Sequence, residues 1–168
     1  MKTKKQLLDY LKFRVKRYDL NNIFKFDHVN KNIICYFDTG ISSLNVGDEI
    51  INACGKKELE KIMYDKQFFI SNTHNGISGK SISDANNSVV RIVCGSNLLH
   101  SNLARGMGSW NIGFLDVLRL KKVILMGVGW SNYSKKVGFN NRIFYKMLLS
   151  KEGMHSVRDN YTKEKLEE

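Results

Sequence analysis

The sequence predicts a single α/β domain of the Rossmann-like, doubly wound kind, with a mostly parallel sheet of about five strands. Short runs of β-forming residues without polar alternation indicate strands that are covered on both faces. Segments in which apolar residues recur at helical spacing separate these runs. Such an alternation is typical of β-α-β units, which place helices on both faces of a parallel sheet. A chain of 168 residues can bury one sizeable core, so we expect one domain.

Five runs of β-forming residues predict the strands in chain order. They are residues 33–37, 68–70, 89–94, 123–128 and 155–157. Helical spacing of apolar residues predicts three helices between them, at residues 48–63, 110–120 and 140–149. In the first of these helices, the pattern predicts core-facing side chains at Ile50, Ile51, Cys54, Leu59 and Ile62.

A basic segment precedes the first strand. Residues 3–19 are predicted to form an amphipathic helix that packs on the body through an apolar stripe of Leu7, Leu8, Leu11, Val15 and Tyr18. Residues 1–31 hold nine Lys or Arg and three Asp, so +6 of the net charge of +11 lies there. A charge run is most often a solvated helix face, although it could approach anionic lipid or nucleic acid. The chain thus divides into a basic helix and linker, residues 1–31, and a Rossmann-like domain, residues 32–168.

Composition argues against several classes of protein. No stretch reaches the roughly 18 apolar residues of a membrane-spanning helix, and no secretory signal is visible. We therefore expect a cytoplasmic protein. We also expect weak peripheral association with the inner face of the membrane.

The three cysteines are widely spaced without a C-x-x-C pair, which predicts reduced thiols and no metal site. The four histidines are scattered, although His74 and His100 follow strands and could reach a crevice. The general acid and base stay unassigned.

The loop from Asp38 to Glu49, after the first strand, carries the first candidate substrate-binding residues. Its two glycines let backbone amides approach a ligand, and the first amides of the following helix are unpaired. Asp48 and Glu49 would repel a phosphate but suit sugar hydroxyls. The candidates are Asn45, Gly47, Asp48 and Glu49. The alternative is that Asn45 or Asp48 only caps the helix.

Loops after the later strands supply the other candidates, because ligand crevices of open α/β sheets lie outside the carboxyl ends of the strands. They are Gly95, Ser96, Asn97, Gly127, Gly129, Arg158 and Asp159. The G-x-G at residues 127–129 lacks the third glycine of a dinucleotide fingerprint, which disfavours NAD binding. Arg158 offers a bidentate donor fork for a carboxylate or phosphate. The alternatives are a pair with Asp159, or Asp159 as the cap of a helix that starts near Thr162.

Four of these segments, taken in order, resemble the amino-terminal half of the polysaccharide pyruvyl transferase family. They are Asn-Val-Gly-Asp-Glu at 45–49, Cys-Gly-Ser at 94–96, Gly-Val-Gly at 127–129 and Ser-Val-Arg-Asp at 156–159. The resemblance implies one half of a GT-B-like architecture. It also implies transfer of a pyruvyl group from phosphoenolpyruvate to a saccharide as a ketal, in the biosynthesis of cell-surface polysaccharide, with no cofactor or metal. The family's Asn-x-Gly-Asp-Glu loop and V-R-D arginine correspond to residues 45–49 and Arg158.

The chain departs from the family pattern at two places. Cys-Gly-Ser at 94–96 stands where the family has three glycines, and from the resemblance we expect the family's second domain to be absent. We therefore expect a fragment, or a domain that a missing C-terminal domain or a partner chain completes, inactive alone. One alternative is half of a GT-B glycosyltransferase that uses a nucleotide sugar. Another is a non-enzymatic module that binds through its basic helix, although nucleic acid is disfavoured because aromatics do not interleave the basic residues.

Overall fold

The computed structural model describes residues 29–103, 108–120, 122–131 and 136–168, which form four strands and five helices. The predicted helix at residues 3–19 lies outside the described residues. None of the described helices has both the length and the apolar composition needed to cross a membrane. The strands are β1 (Asn30–Asp38), β2 (Gln67–Asn72), β3 (Ser88–Cys94) and β4 (Ile124–Met126), and the helices are α1 (Val46–Ile62), α2 (Gly79–Asn87), α3 (Phe114–Arg119), α4 (Phe139–Leu148) and α5 (Asn160–Glu167).

The four strands form one parallel sheet in the order β2-β1-β3-β4. Strand β1 is therefore central, and Tyr36 pairs with Ile70 on one side and with Ile92 on the other. A parallel sheet needs both faces covered, which explains why the strands read as nearly continuous apolar runs. The α/β, Rossmann-like prediction is confirmed.

Alternate residues of β1 point to opposite faces and enter two separate cores. Cys35 and Phe37 belong to a large cluster to which α2, α3 and α4 contribute buried side chains and against which α5 packs. Ile34 and Tyr36 belong to a smaller cluster on the other face, where Leu59 of α1 covers them. Helices therefore lie on both faces of the sheet, as a doubly wound fold requires.

The fifth predicted strand, residues 155–157, does not form a regular strand. The segment lies alongside β4 and the residues after it and makes three backbone hydrogen bonds with them, among them Ser156 N to Leu125 O at 2.9 Å and Arg158 N to Val128 O at 3.0 Å. It nevertheless forms only an isolated bridge, between Val128 and Val157. The His155 ring supplies the next acceptor, because its Nδ1 accepts from Leu125 N at 3.0 Å. A side chain thus takes the place of a backbone partner, so the described residues have four strands rather than five.

We expect the substitution His155→Ala to lower the free energy of unfolding by about 1–3 kcal/mol, because it leaves the buried Leu125 amide without this acceptor. It also removes the contact from His155 Nε2 to Ser150 O at 2.7 Å. Urea unfolding measures the change. Met154→Ala is the matched control, since the Met154 side chain is 95% exposed and its loss should change stability by less than about 0.5 kcal/mol. Equal effects of the two substitutions would contradict a structural role for His155.

The predicted inward face of α1 is wrong except at Leu59. Ile50 is 59% exposed and Ile62 is 73% exposed, and Ile51 and Cys54 also reach the surface. The helix buries two polar side chains instead, Asp48 and Asn52. The reason is that the loop after β1 has polar groups that these side chains must satisfy, as described below, and this requirement outweighs the burial of three isoleucines.

Helix α2 was not predicted, and α3 is shorter than predicted. The α2 sequence, GKSISDANN, is polar, and only Ile82 and Ala85 enter the large apolar cluster. Its start is nevertheless marked by Ser78, whose side chain accepts from the Ser81 amide as an N-cap. Helix α3 begins at Phe114, four residues after the predicted start at Trp110. Trp110 is buried in the preceding loop.

Candidate functional site

The loops that follow the four strands share one edge of the molecule, because parallel strands end on the same side of their sheet. The loop after β1 turns back at Gly40, whose carbonyl accepts from Ser43 N at 3.0 Å. The Asp38 carboxylate fixes the turn by accepting from Gly40 N at 2.7 Å. Ser42 adopts φ 66°, which is uncommon for a residue with a side chain.

The predicted loop residues at the start of α1 mostly hold the loop together. Asn45 is the N-cap, and its side-chain oxygen accepts from Gly47 N at 3.0 Å. The Asp48 carboxylate is buried and accepts from Ser43 Oγ at 2.7 Å. Glu49 is exposed at the same helix start. The capping role considered from the sequence is thus what Asn45 performs, and Glu49 is the carboxylate of this group that faces solvent.

A buried polar network beneath this loop was not foreseen. Asn52 Oδ1 accepts from Tyr36 Oη at 3.1 Å and from Thr39 N at 3.2 Å. Its Nδ2 donates to Asp48 O at 2.8 Å and also to Thr39 Oγ1. One amide side chain therefore ties the end of β1 to the first turns of α1. The signal in the sequence is the i, i+4 pair of polar residues at 48 and 52, which lie one above the other on a helix.

Two ionisable groups beside this network keep their protons at neutral pH. Burial raises the pKa of the Tyr36 hydroxyl above its ordinary value, and a hydrogen bond with Cys94 acts in the same direction. Burial also raises the pKa of the Cys94 thiol. Because the thiolate is the nucleophilic form of cysteine, Cys94 is positioned as a small packing residue rather than as a nucleophile.

The loops after β3 and β4 lie side by side at the same edge and continue the parallel hydrogen bonding of the two strands. Gly95 N donates to Met126 O and Gly129 N donates to Ser96 O, each at 2.8 Å. Gly95 has φ 63°, and Ser96, which carries a side chain, has φ 61°. Non-glycine residues held in this region are concentrated at functional sites. Gly127 also has a positive φ, 65°, and a Cβ there would meet no atom within 4 Å, so it borders open space.

Arg158 lies against these paired loops. Its Nη1 donates to Asn97 Oδ1 at 3.2 Å, and both side chains are exposed. Gly129 packs beneath them, because a Cβ there would collide with Asn97 Oδ1 and lie 3.2 Å from Arg158 Cδ. Among the described carboxylates, none lies within 4.0 Å of the Arg158 guanidinium as an ion pair. Its charge is therefore available to a ligand.

Asp159 has a structural role beside Arg158. Its carboxylate caps α5 by accepting from Thr162 N and from Thr162 Oγ1, each at 2.7 Å. These two hydrogen bonds lower the pKa of Asp159. Thr162 Oγ1 in turn accepts from Trp130 N at 2.9 Å, which fixes α5 to the loop after β4. The capping alternative considered from the sequence is therefore the role that Asp159 has.

Comparison with known proteins decides the family of this chain. The model of the polysaccharide pyruvyl transferase family matches residues 45–168, from the N-cap of α1 to the last residue. This chain belongs to the polysaccharide pyruvyl transferase family. Membership implies a saccharide as the acceptor of the transferred group. Searches of curated proteins and of solved structures returned no match.

In this pyruvyl transferase family member, nine of the eleven predicted residues fall into two groups. Asn97, Gly129 and Arg158 are in mutual contact, and Gly95 and Ser96 hold the loop from which Asn97 projects. Asn45, Gly47, Asp48 and Glu49 lie at the start of α1. The two groups adjoin, because the Ile51 side chain of α1 covers Gly95 and Thr39 Oγ1 donates to Cys94 O at 3.3 Å.

Of the two histidines considered from the sequence, His74 lies beside the loop after β1. Its Nε2 is 3.0 Å from Thr39 O. A carbonyl oxygen can only accept, so we assign the proton to Nε2, which leaves Nδ1 as an acceptor in the neutral ring. His100 is used inside its own loop, where its Nδ1 accepts from Asn102 N at 3.2 Å. His74 is therefore the better placed of the two for proton transfer at this edge.

Proposed function

We propose that this chain is the half of a pyruvyl transferase that binds the saccharide acceptor and an anionic group of phosphoenolpyruvate, during synthesis of a cell-surface polysaccharide in the cytoplasm. The observation that carries the proposal is Arg158, an exposed guanidinium held by Asn97 at the carboxyl edge without an ion-pair partner among the described residues. A planar fork of donors fits a phosphate or carboxylate in two contacts. Phosphoenolpyruvate carries both anions.

The proposed reaction joins one pyruvyl carbon to two neighbouring hydroxyls of the sugar. A proton adds to the CH₂ carbon of phosphoenolpyruvate, and the adjacent carbon accepts both hydroxyl oxygens while its bond to the phosphate oxygen breaks. The first hydroxyl proton balances the one added to carbon, and the second leaves with the phosphate. The products are a cyclic ketal and inorganic phosphate. Arg158 would stabilise the negative charge that grows on the leaving phosphate or hold the carboxylate.

The loop at the start of α1 supports the sugar side of the proposal. The side-chain oxygens of Asn45 and Asp48 already accept hydrogen bonds from within the loop. In this proposal the two residues hold the loop in position for the sugar and do not make the first contact with it. Glu49 is exposed there and can accept hydrogen bonds from hydroxyls. His74, with Nδ1 as an acceptor, is the group that we propose for removing a hydroxyl proton.

Arg158→Gln is expected to weaken binding of phosphoenolpyruvate by about 10- to 100-fold, the range that loss of one charge-assisted contact of roughly 1.5–3 kcal/mol implies. Calorimetric titration of the chain measures the change. Arg158→Lys should recover part of the affinity because it keeps the charge without the fork. Arg142→Gln is the matched control, since Arg142 is exposed on α4 and its Nε donates to Val137 O.

Two results of this titration would contradict the proposal. One is unchanged affinity in Arg158→Gln, which would remove Arg158 from the site. The other is tighter binding of nucleotide sugars than of phosphoenolpyruvate, which would favour a glycosyltransferase half.

A further inference from the structure

A cavity of about 820 Å³ opens at the amino edge of the sheet, where the strands begin. It lies between the first residues of β3 and β4, the end of α3, and the turn at residues 150–153 that follows α4. The candidate site described above occupies the opposite, carboxyl edge, because the strands are parallel. Ligand pockets in proteins have volumes of about 300–1,000 Å³, so this cavity has the size of a second binding site.

The walls of this space, which we call the amino-edge cavity, are mostly apolar. Val90 and Ile124 contribute to the walls from the sheet and Met147 contributes from α4, and all three side chains are half-buried. Leu118 of α3 also lines the cavity and is 64% exposed, so it lies at the mouth. Such walls suit the hydrocarbon part of a ligand, because removing apolar surface from water is favourable.

Three cationic side chains share the amino-edge cavity with these walls, namely Arg91, Lys122 and Lys151. Among the described residues of the lining, Glu152 is the one carboxylate. None of the three cations forms an ion pair with a described residue. The lining therefore has a net charge of +2 that the described part of the chain does not neutralise.

Backbone carbonyls hold two of these cations in place. Arg91 Nε donates to Lys122 O at 2.8 Å, and its Nη1 donates to Ser88 O at 2.9 Å. Lys122 Nζ donates to Lys146 O at 2.7 Å, at the end of α4. The negative end of the α4 dipole offsets part of the Lys122 charge, but a neutral carbonyl supplies no full counter-charge to Arg91. Arg91 Nη2 has no acceptor among the described residues, so its donors are open to a ligand.

The position of these charges has a cost for the folded protein. Partial burial lowers the pKa of the Arg91 guanidinium and of the Lys122 ammonium. The positive charge of Lys151 lowers the pKa of Lys122 further. Groups with shifted pKa values that line a cavity are concentrated at functional sites. A bound anion would offset this cost, because it supplies the counter-charge.

We propose that the amino-edge cavity binds an amphiphilic anion, namely a phosphate monoester or a carboxylate that carries a hydrocarbon chain. The Arg91 fork and the Lys151 ammonium bind the anionic head. Val90, Ile124 and Leu118 contact the chain. A neutral amphiphile would leave the cations unmatched, and a bare phosphate would leave the apolar walls in water. This site is separate from Arg158 and does not depend on the transferase function proposed above.

Titration calorimetry with octyl phosphate, kept below its micelle concentration, tests the proposal. The full chain with Arg158→Gln is used, so that the phosphate does not bind at the carboxyl edge. We expect octyl phosphate to bind at least about tenfold more tightly than inorganic phosphate, which lacks the chain, or octyl glucoside, which lacks the charge. Failure of octyl phosphate to bind would overturn the proposal, as would equal affinity for either of the other two probes.

Two pairs of substitutions locate the ligand. Leu118→Asp places a carboxylate at the mouth and should weaken octyl phosphate binding by at least about tenfold. Leu115→Asp is its matched control, because Leu115 is 56% exposed on the same helix, one turn earlier, and does not line the cavity. Lys151→Gln should weaken binding by about three- to tenfold, whereas Lys57→Gln, at an exposed position on α1, should not change it. Equal effects within either pair would overturn the proposal.

Vesicles distinguish the two sources from which such an anion can come. The full chain is sedimented with phosphatidylcholine vesicles that contain phosphatidic acid, a phosphate monoester. Vesicle binding that Leu118→Asp removes and Leu115→Asp retains would identify a membrane lipid as the source. Binding of octyl phosphate without binding to vesicles would identify a dissolved amphiphile, and both results support the cavity as the site. Vesicle binding that the two substitutions reduce equally would show a flat membrane contact and overturn the proposal.

Discussion

Replacing Asn52 with alanine is expected to lower the free energy of unfolding by about 3 kcal/mol, one of the two largest effects that we anticipate. The Asn52 side chain satisfies the Tyr36 hydroxyl and both the amide and hydroxyl of Thr39. All three residues are buried, and the Thr39 amide would be left without a partner, whereas the Tyr36 hydroxyl keeps Asn52 O at 3.2 Å and the Thr39 hydroxyl keeps Cys94 O at 3.3 Å. An unsatisfied buried group costs about 1–3 kcal/mol, and each of the other hydrogen bonds lost with the side chain adds about 0.5–1.5 kcal/mol.

Chemical denaturation of Asn52→Ala and Tyr36→Phe, alone and together, measures this effect and its origin. The double variant should lose less stability than the two single variants added together, because both single variants remove the same hydrogen bond between Tyr36 Oη and Asn52 Oδ1. Asn75→Ala is the matched control, since Asn75 is an exposed loop asparagine that donates to Ser42 Oγ at 2.7 Å. A strictly additive double variant would show that Asn52 and Tyr36 act independently.

Gly55→Ala is expected to destabilise the protein by about 2 kcal/mol, although glycine is the poorer helix former. Alanine inside a helix is favoured over glycine by roughly 1 kcal/mol. Here the added Cβ would overlap the buried Cys94 Sγ and lie 3.2 Å from Met126 Cε. Overpacking of this kind costs about 1–3 kcal/mol, and the contact with a short, buried side chain leaves little room to relax. The steric term therefore outweighs helix propensity.

A second substitution reverses the expected sign of Gly55→Ala. With Cys94→Ala in the background, the sulfur that causes the overlap is absent, so Gly55→Ala should become neutral or stabilising. Ala53→Gly, at an exposed position on the same helix, should lose about 1 kcal/mol and calibrates the propensity. Thermal unfolding of the four variants measures these changes. Equal destabilisation by Gly55→Ala with and without Cys94 would contradict the steric explanation.

The strands were predictable because their burial on both faces leaves a visible mark in the sequence. The four runs at residues 33–37, 68–70, 89–94 and 123–128 all overlap strands of the sheet. The orientation of α1 was not predictable from hydrophobic periodicity alone. The Asn52 network turns the helix so that two polar residues face inward, and that requirement depends on where β1 ends in space. Residues 155–157 failed as a strand for a similar reason, because a histidine ring takes the place of a backbone acceptor.

The candidate site was only partly predictable. We expected the segments that follow the parallel strands to meet at one edge of the sheet. In the structure, Asn97, Gly129 and Arg158 from these segments are in contact. Residue type alone could not separate Glu49, which faces solvent, from Asp48, which bonds Ser43 inside the loop. Both are carboxylates one residue apart, and a rotation of about 100° per residue on the helix decides which one faces solvent.

The central position of β1 has a consequence for defining the folding unit of this protein. The family model begins at residue 45, whereas β1 ends at Asp38 and pairs with both β2 and β3. A polypeptide cut at the family boundary would lose the strand that joins these two neighbours. It would expose two unpaired ladders and the inner faces of both cores, which is a template for aggregation. The unit recognised by sequence similarity is therefore smaller than the unit that can fold cooperatively.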